Sequence, residues 1–83
     1  MRRLVVYYSG QVQGVGFRYT AERIARRFNV TGTIKNMNDG KVQLVAEGAE
    51  GELHIFAKAI REGALASCIR DSDVTWEAAQ GRG

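Results

Sequence analysis

Apolar residues along this chain recur at two different intervals, and the change from one to the other marks out its secondary structure. In "RRLVVYYSG" residues 4–8 are apolar, β-branched or aromatic throughout, the pattern of a central strand covered at least partly on both faces. From Phe17 the spacing changes. Phe17, Ala21, Ile24, Ala25 and Phe28 fall on one stripe of a 3.6-residue period, which predicts a helix that turns Arg23, Arg26 and Arg27 outward and stops near Asn29. "VTGTIKN" has the threonine and isoleucine content of a second strand. Asp39 and Gly40 in "NMNDGKV" tolerate positive φ and predict a tight reversal into a third strand, where Val42, Leu44 and Ala46 alternate with Gln43, Val45 and Glu47. A second helix is predicted in "AEGELHIFAKAIREG", with Leu53, Phe56, Ala57 and Ile60 on one face and Gly63 ending it in a left-handed cap. "SCIRDSDVTWEAAQ" places Val74, Trp76 and Ala78 at alternate positions of a fourth strand, with Trp76 in the core, and the tail "AAQGRG" is expected to fray.

The resulting order, β-α-β-β-α-β, with helices amphipathic on one side only, predicts an α+β two-layer sandwich of ferredoxin-like topology. A four-stranded antiparallel sheet carries both helices on one face. Residues 1–83 suit one small domain, since nearly half of them are apolar and neither a linker nor a repeat interrupts them. No stretch is long and apolar enough to predict a membrane span.

Charge adds a mild bias. Lys and Arg outnumber Asp and Glu by 12 to 9, which favours anionic ligands without resembling a nucleic-acid-binding tail. Cys68 and His54 are the only cysteine and histidine, too few ligands for a structural zinc site, so a reduced, cytoplasmic protein with neither metal nor cofactor is expected.

Candidate chemistry concentrates in "SGQVQGVGFRYTAERIARRF", where glycines run directly into an arginine and a helix start. Glycine lets successive N–H groups converge, and a helix N-terminus adds unpaired donors and partial positive charge, so this connection forms a nest for an anion of phosphate size. Arg18 stands where its planar fork can hold two oxygens of that anion at once.

"GQVQGVGFR" closely resembles the signature of the acylphosphatases, small hydrolases of carboxyl-phosphate anhydrides, and "GTIKNMNDGKVQLVAEG" resembles that family's second signature. The resemblance implies a phosphate loop at Gly14, Val15, Gly16, Phe17 and Arg18, with Arg18 the essential arginine, and an essential asparagine at Asn36 that positions the attacking water. It also implies a small-molecule acyl phosphate as substrate and inorganic phosphate as product and competitive inhibitor. No nucleic-acid or membrane partner is implied, and a monomer is expected. This implied catalytic set contains no histidine, cysteine or carboxylate. The sequence departs from the family pattern at Thr33, where an aromatic residue is usual, in the absence of a proline from "EGALAS", and after "WEAAQGRG", where a fifth edge strand found in many members has no counterpart.

Other residues invite blander readings. His54 lies beside the apolar stripe of the second helix and away from the loop, and Cys68 is expected as a small hydrophobe at the entry to the fourth strand. The Arg23, Arg26 and Arg27 face reads as a solvated helix surface supported by a Glu22–Arg26 pair. Two alternatives to a working enzyme are a catalytically weak or inactive anion-binding or interaction module of the same fold, and an RNA-recognition sheet. The latter would need paired aromatics on its middle strands, and "KVQLVAEG" offers none.

Overall fold

A computed structural model describes residues 1–14 and 16–80. The elements follow the predicted order: β1 (Arg2–Gly10), α1 (Phe17–Ala25), β2 (Val30–Asn36), β3 (Val42–Gly48), α2 (Glu50–Glu62), a 3₁₀ turn (Ala66–Cys68) and β4 (Ile69–Ala78). The strands form one antiparallel sheet in the order β2-β3-β1-β4, with β1 and β3 in the middle and β2 and β4 at the edges. This is the ferredoxin-like α+β arrangement. Among the described residues no helix is long and apolar enough to cross a membrane.

Alternation along the central strands decides which face is buried. Leu4, Val6 and Tyr8 of β1 and Val42, Leu44 and Ala46 of β3 all point to one side, where Phe17, Ala21 and Ile24 of α1 and Leu53, Phe56 and Ile60 of α2 close over them. The Tyr8 and Phe17 rings meet at a tilt, 5.3 Å between centroids, and Phe28, just beyond α1, meets Phe56 of α2 in the same way at 5.8 Å, so aromatic pairs join α1 to the sheet and α2 to the segment that follows α1. Burial pushes the Tyr8 phenol well above its ordinary pKa, with Arg61 opposing weakly, and the hydroxyl stays neutral.

The opposite face of the sheet is polar but ordered. Arg3 lies between its two cross-strand neighbours, 3.3 Å from the buried Glu47 carboxylate and 3.3 Å from that of Glu77. The contact to Glu77 is an ion pair by distance only, because Arg3 Nε is poorly aligned for a hydrogen bond. The backbone N–H of Gln80 also donates to Glu47, at 2.8 Å. This tether overturns the expected fraying up to Gln80: β4 continues through Ala78 and the chain beyond it is held by a carboxylate. Residues 81–83 of the expected tail lie outside the described residues.

Three local expectations are corrected. Gly63 ends α2 at φ −93°, outside the left-handed region. Its lack of a side chain is needed for space instead, since a Cβ there would sit 2.5 Å from the Ala59 carbonyl oxygen. Asp39 does not adopt positive φ, and Gly40 alone does so in that turn, at +92°; the Asp39 carboxylate accepts from the Lys41 N–H at 3.1 Å instead. Trp76 faces the helices opposite Leu4 but is only half-buried, because β4 is an edge strand beyond full helical cover, and Val74 is exposed for the same reason. The Trp76 ring meets that of His54 at a tilt, 4.7 Å between centroids, and the Arg2 guanidinium lies 5.5 Å from the Trp76 ring centroid.

The last residue of β1 aims the chain toward the first helix. Gly10 adopts φ +124° at a register shift in the β1–β4 ladder, and a Cβ there would lie 2.5 Å from the Cys68 carbonyl oxygen. Gly10→Ala should therefore destabilise the fold by about 1–3 kcal/mol or more. Gly40→Ala should cost less, because it suffers a similar backbone penalty but meets nothing within 4 Å. Urea denaturation of the two variants checks this; equal losses would show that the approach to Cys68 does not matter.

Candidate active site

The segment between β1 and α1 is fastened residue by residue. The Gln11 N–H donates to the Cys68 carbonyl at 3.0 Å, and Val12 is buried in the core at 1% exposure. Gln13 then donates through Nε2 to the carbonyls of Met37 at 2.8 Å and Lys41 at 2.9 Å. Beyond these anchors Gly14 and Gly16 take φ +76° and +77°, values that L side chains rarely adopt. Nothing lies within 4 Å of where a Cβ would be built on either glycine, so the backbone there faces open space. Val15, expected in the phosphate loop, lies outside the described residues.

Gly16 also serves as the N-cap of α1, and it brings no side chain to the task. No side-chain oxygen caps this helix and no acidic residue stands in its first turn, so the N–H groups that lack intrahelical acceptors keep their positive character. The contrast with α2 is instructive. That helix carries Glu50 and Glu52 in its own first turn, and Glu52 accepts from the Asn29 N–H at 2.8 Å. One helix supplies its own anions; the other leaves the place open.

Arg18 follows in the first turn of α1, exposed and making no ion pair or side-chain hydrogen bond among the described residues. Asn36 is the last residue of β2, paired across the ladder with Val42 at the mouth of the β2–β3 turn. An open cleft of about 350 Å³ brings the two together: its walls include Gly14, Gly16, Phe17, Arg18 and Asn36. Every described residue of the expected set thus borders one space, although β2 and the glycine loop are separated by a whole helix in the chain.

The cleft also holds residues that the sequence reading did not place there. Val12 forms part of its wall, Tyr19 extends it with a ring 64% exposed, and Glu22 contributes a carboxylate. Glu22 corrects two expectations at once. It adds a carboxylate to a cleft expected to have none, and it forms no ion pair with Arg26 among the described residues; only the Arg26 backbone N–H donates to the Glu22 carbonyl, at 3.2 Å. Helical spacing from Arg18 was the available signal, but Arg26 lies at the same spacing on the other side, so the period alone did not choose between them. Gln13 carried no such signal, since its role depends on a turn far along the chain. His54 lies off the cleft on α2, its side chain 62% exposed and its Nε2 3.9 Å from Glu50. Cys68 is half-buried beside β4, as expected. Arg23 leans over the Tyr19 ring at 5.8 Å.

Comparison with known proteins matches the sequence and the fold to a family. The family model described as Acylphosphatase matches residues 4–83. The chain is 42% identical over 74 residues to an acylphosphatase of Archaeoglobus fulgidus, covering 89% of this chain and 83% of that protein. It is 41% identical over 73 residues to an acylphosphatase of Bacillus subtilis, covering 88% and 78% respectively. The crystal structure of an acylphosphatase from Bacillus subtilis superposes with a TM-score of 0.89 at 36% identity, over 99% of this chain and 92% of that one.

Proposed function

The chain belongs to the acylphosphatase family, hydrolases of small acyl phosphates, and from that premise we propose how its residues carry out the hydrolysis. The phosphoryl group of the substrate sits in the cleft against the backbone amides of residues 14–18, and the Arg18 guanidinium grips two of its oxygens. Asn36 orients a water molecule for attack on phosphorus from the opposite side. As the new P–O bond forms, the bond to the acyl oxygen breaks and the carboxylate leaves with the electron pair. The proton of the water passes to a phosphate oxygen, and the products are carboxylate and inorganic phosphate.

The observation that carries this reading is the convergence of Arg18 and Asn36 on one open cleft at an uncapped helix N-terminus. The chemistry suits so sparse a set. A carboxylate, whose conjugate acid has a pKa of about 4, departs without a general acid. Negative charge spread over the equatorial oxygens is met by donors already fixed in place. Glu22 gives the cleft wall a negative charge next to the cationic one, which helps to confine the dianionic group to the loop and arginine.

Inorganic phosphate shares the group recognised and acts as a competitive inhibitor. Residues 1–83 function as one domain, a reading supported by the core that the strands and both helices share, and as a cytoplasmic monomer. The sheet face away from the helices supports no role in base stacking, since β3 presents Gln43, Val45 and Glu47 there and the Tyr7 hydroxyl accepts from Gln43 at 2.9 Å.

Steady-state hydrolysis of a simple aryl acyl phosphate tests the assignment. Arg18→Lys should lower kcat/KM by about 1,000-fold despite keeping the charge, because an ammonium cannot reproduce a two-point clamp. Near-normal activity in this variant would remove the clamp from the mechanism.

Asn36→Ala should fail differently, with phosphate inhibition little changed and turnover reduced by roughly 100- to 1,000-fold. Weakened phosphate inhibition at unchanged kcat would instead make Asn36 a binding residue.

Turnover should be nearly flat between about pH 5 and 8, apart from the substrate's own ionisation, and His54→Gln should superimpose on the wild type. A limb abolished by His54→Gln or by Glu22→Gln would introduce a protein general base and overturn the water-positioning mechanism.

A further inference from the structure

The Gln13 side chain joins the two walls of the cleft. Its Nε2 faces two carbonyl oxygens, Met37 at 2.8 Å and Lys41 at 2.9 Å, and carbonyls only accept, so the amide must present its N–H groups to them. The same two carbonyls close the β2–β3 turn on itself: Lys41 accepts from the Met37 N–H at 2.8 Å, and Met37 accepts from the Gly40 N–H at 3.2 Å. Gln13 therefore grips both ends of that turn. The residues next to these contacts matter. Gln13 immediately precedes Gly14 in the loop, and Met37 immediately follows Asn36. Apart from its ladder pairing with Val42, Asn36 has little else to hold it, being exposed at the end of an edge strand whose outer side is unpaired among the described residues.

We propose that Gln13 is a positioning residue for hydrolysis, fixing Asn36 at the working distance from the phosphoryl group through the β2–β3 turn. This rests on the assignment of Asn36 to the attacking water. Gln13 touches neither substrate nor water; it sets the separation of the two walls.

The test is a double-mutant cycle in the full chain. Gln13→Met keeps length and neutrality but loses both donors, and Gln13→Asn keeps the amide but cannot span the gap. The readouts are kcat with an aryl acyl phosphate, Kd for inorganic phosphate and urea denaturation. Each variant should remain folded and lose about 10- to 100-fold in kcat, the scale of a small misplacement, with phosphate Kd changed less than about threefold. In an Asn36→Ala background the same substitutions should cost less than about threefold further, because the residue they position is already gone. If Asn36→Ala alone keeps wild-type turnover, the assignment of Asn36 falls and this inference with it. If Asn36→Ala is slow but the Gln13 variants turn over normally, or if the two losses multiply, the assignment stands and Gln13 is only a strut.

Discussion

A helix that begins without a cap leaves backbone donors pointing into solvent, and a small protein ordinarily covers them with a serine, threonine or aspartate. Here α1 follows the N-cap Gly16 with neither a side-chain cap nor an acid in its first turn, and Arg18 adds a cation where the helix dipole already disfavours one. Both features disfavour the free protein, and a single anion bound there would relieve both. The rest of the fold can be understood as what holds this uncompensated end still and open to the solvent.

Holding it still falls to the residues before it. Gly10, Gln11, Val12 and Gln13 are anchored in turn to the entry of β4, to the core and to the β2–β3 turn. The chain is therefore fixed as far as Gln13, immediately before the first of the two glycines. The antiparallel order β2-β3-β1-β4 then matters chemically, because it places the end of β2 near the start of α1 even though β1 and β2 are not neighbours in the sheet. Asn36 reaches the cleft from a strand two places removed from β1, and the β2–β3 turn links its position directly to the loop through the Gln13 side chain.

Much of this was legible in the sequence, for reasons that differ by element. The alternation of Val42, Leu44 and Ala46 and the stripe of Phe17, Ala21 and Ile24 each record one buried face, so strand and helix could be assigned locally. Gly14, Gly16 and Arg18 were legible through their place between a predicted strand and a predicted helix, in a stretch that resembles the family signature. Gln13 was not, because a glutamine becomes informative only when a distant turn supplies its acceptors. Glu22 was misjudged because two partners lie at helical spacing from it, Arg18 and Arg26, and only the packed structure shows that it faces the cleft. Gly63 and Trp76 went astray for a tertiary reason as well: a close carbonyl in one case and an edge strand in the other decided their environments.

The same reasoning bears on why so few side chains are enough. A reaction with a poor leaving group needs an acid matched to it, and matching requires burial or charged neighbours that shift a pKa. An acyl phosphate carries its own good leaving group, so the protein is relieved of that requirement and can leave its cleft open. What remains is geometric: fixed donors around phosphorus, and a water held in line with the departing oxygen. Geometry of that kind is supplied by backbone and by hydrogen bonds between elements, which is why an 83-residue chain with one histidine, placed away from the cleft, can carry it. The demand has moved from the chemistry of individual side chains to the distance between two walls, which the Gln13 hydrogen bonds to Met37 and Lys41 bridge.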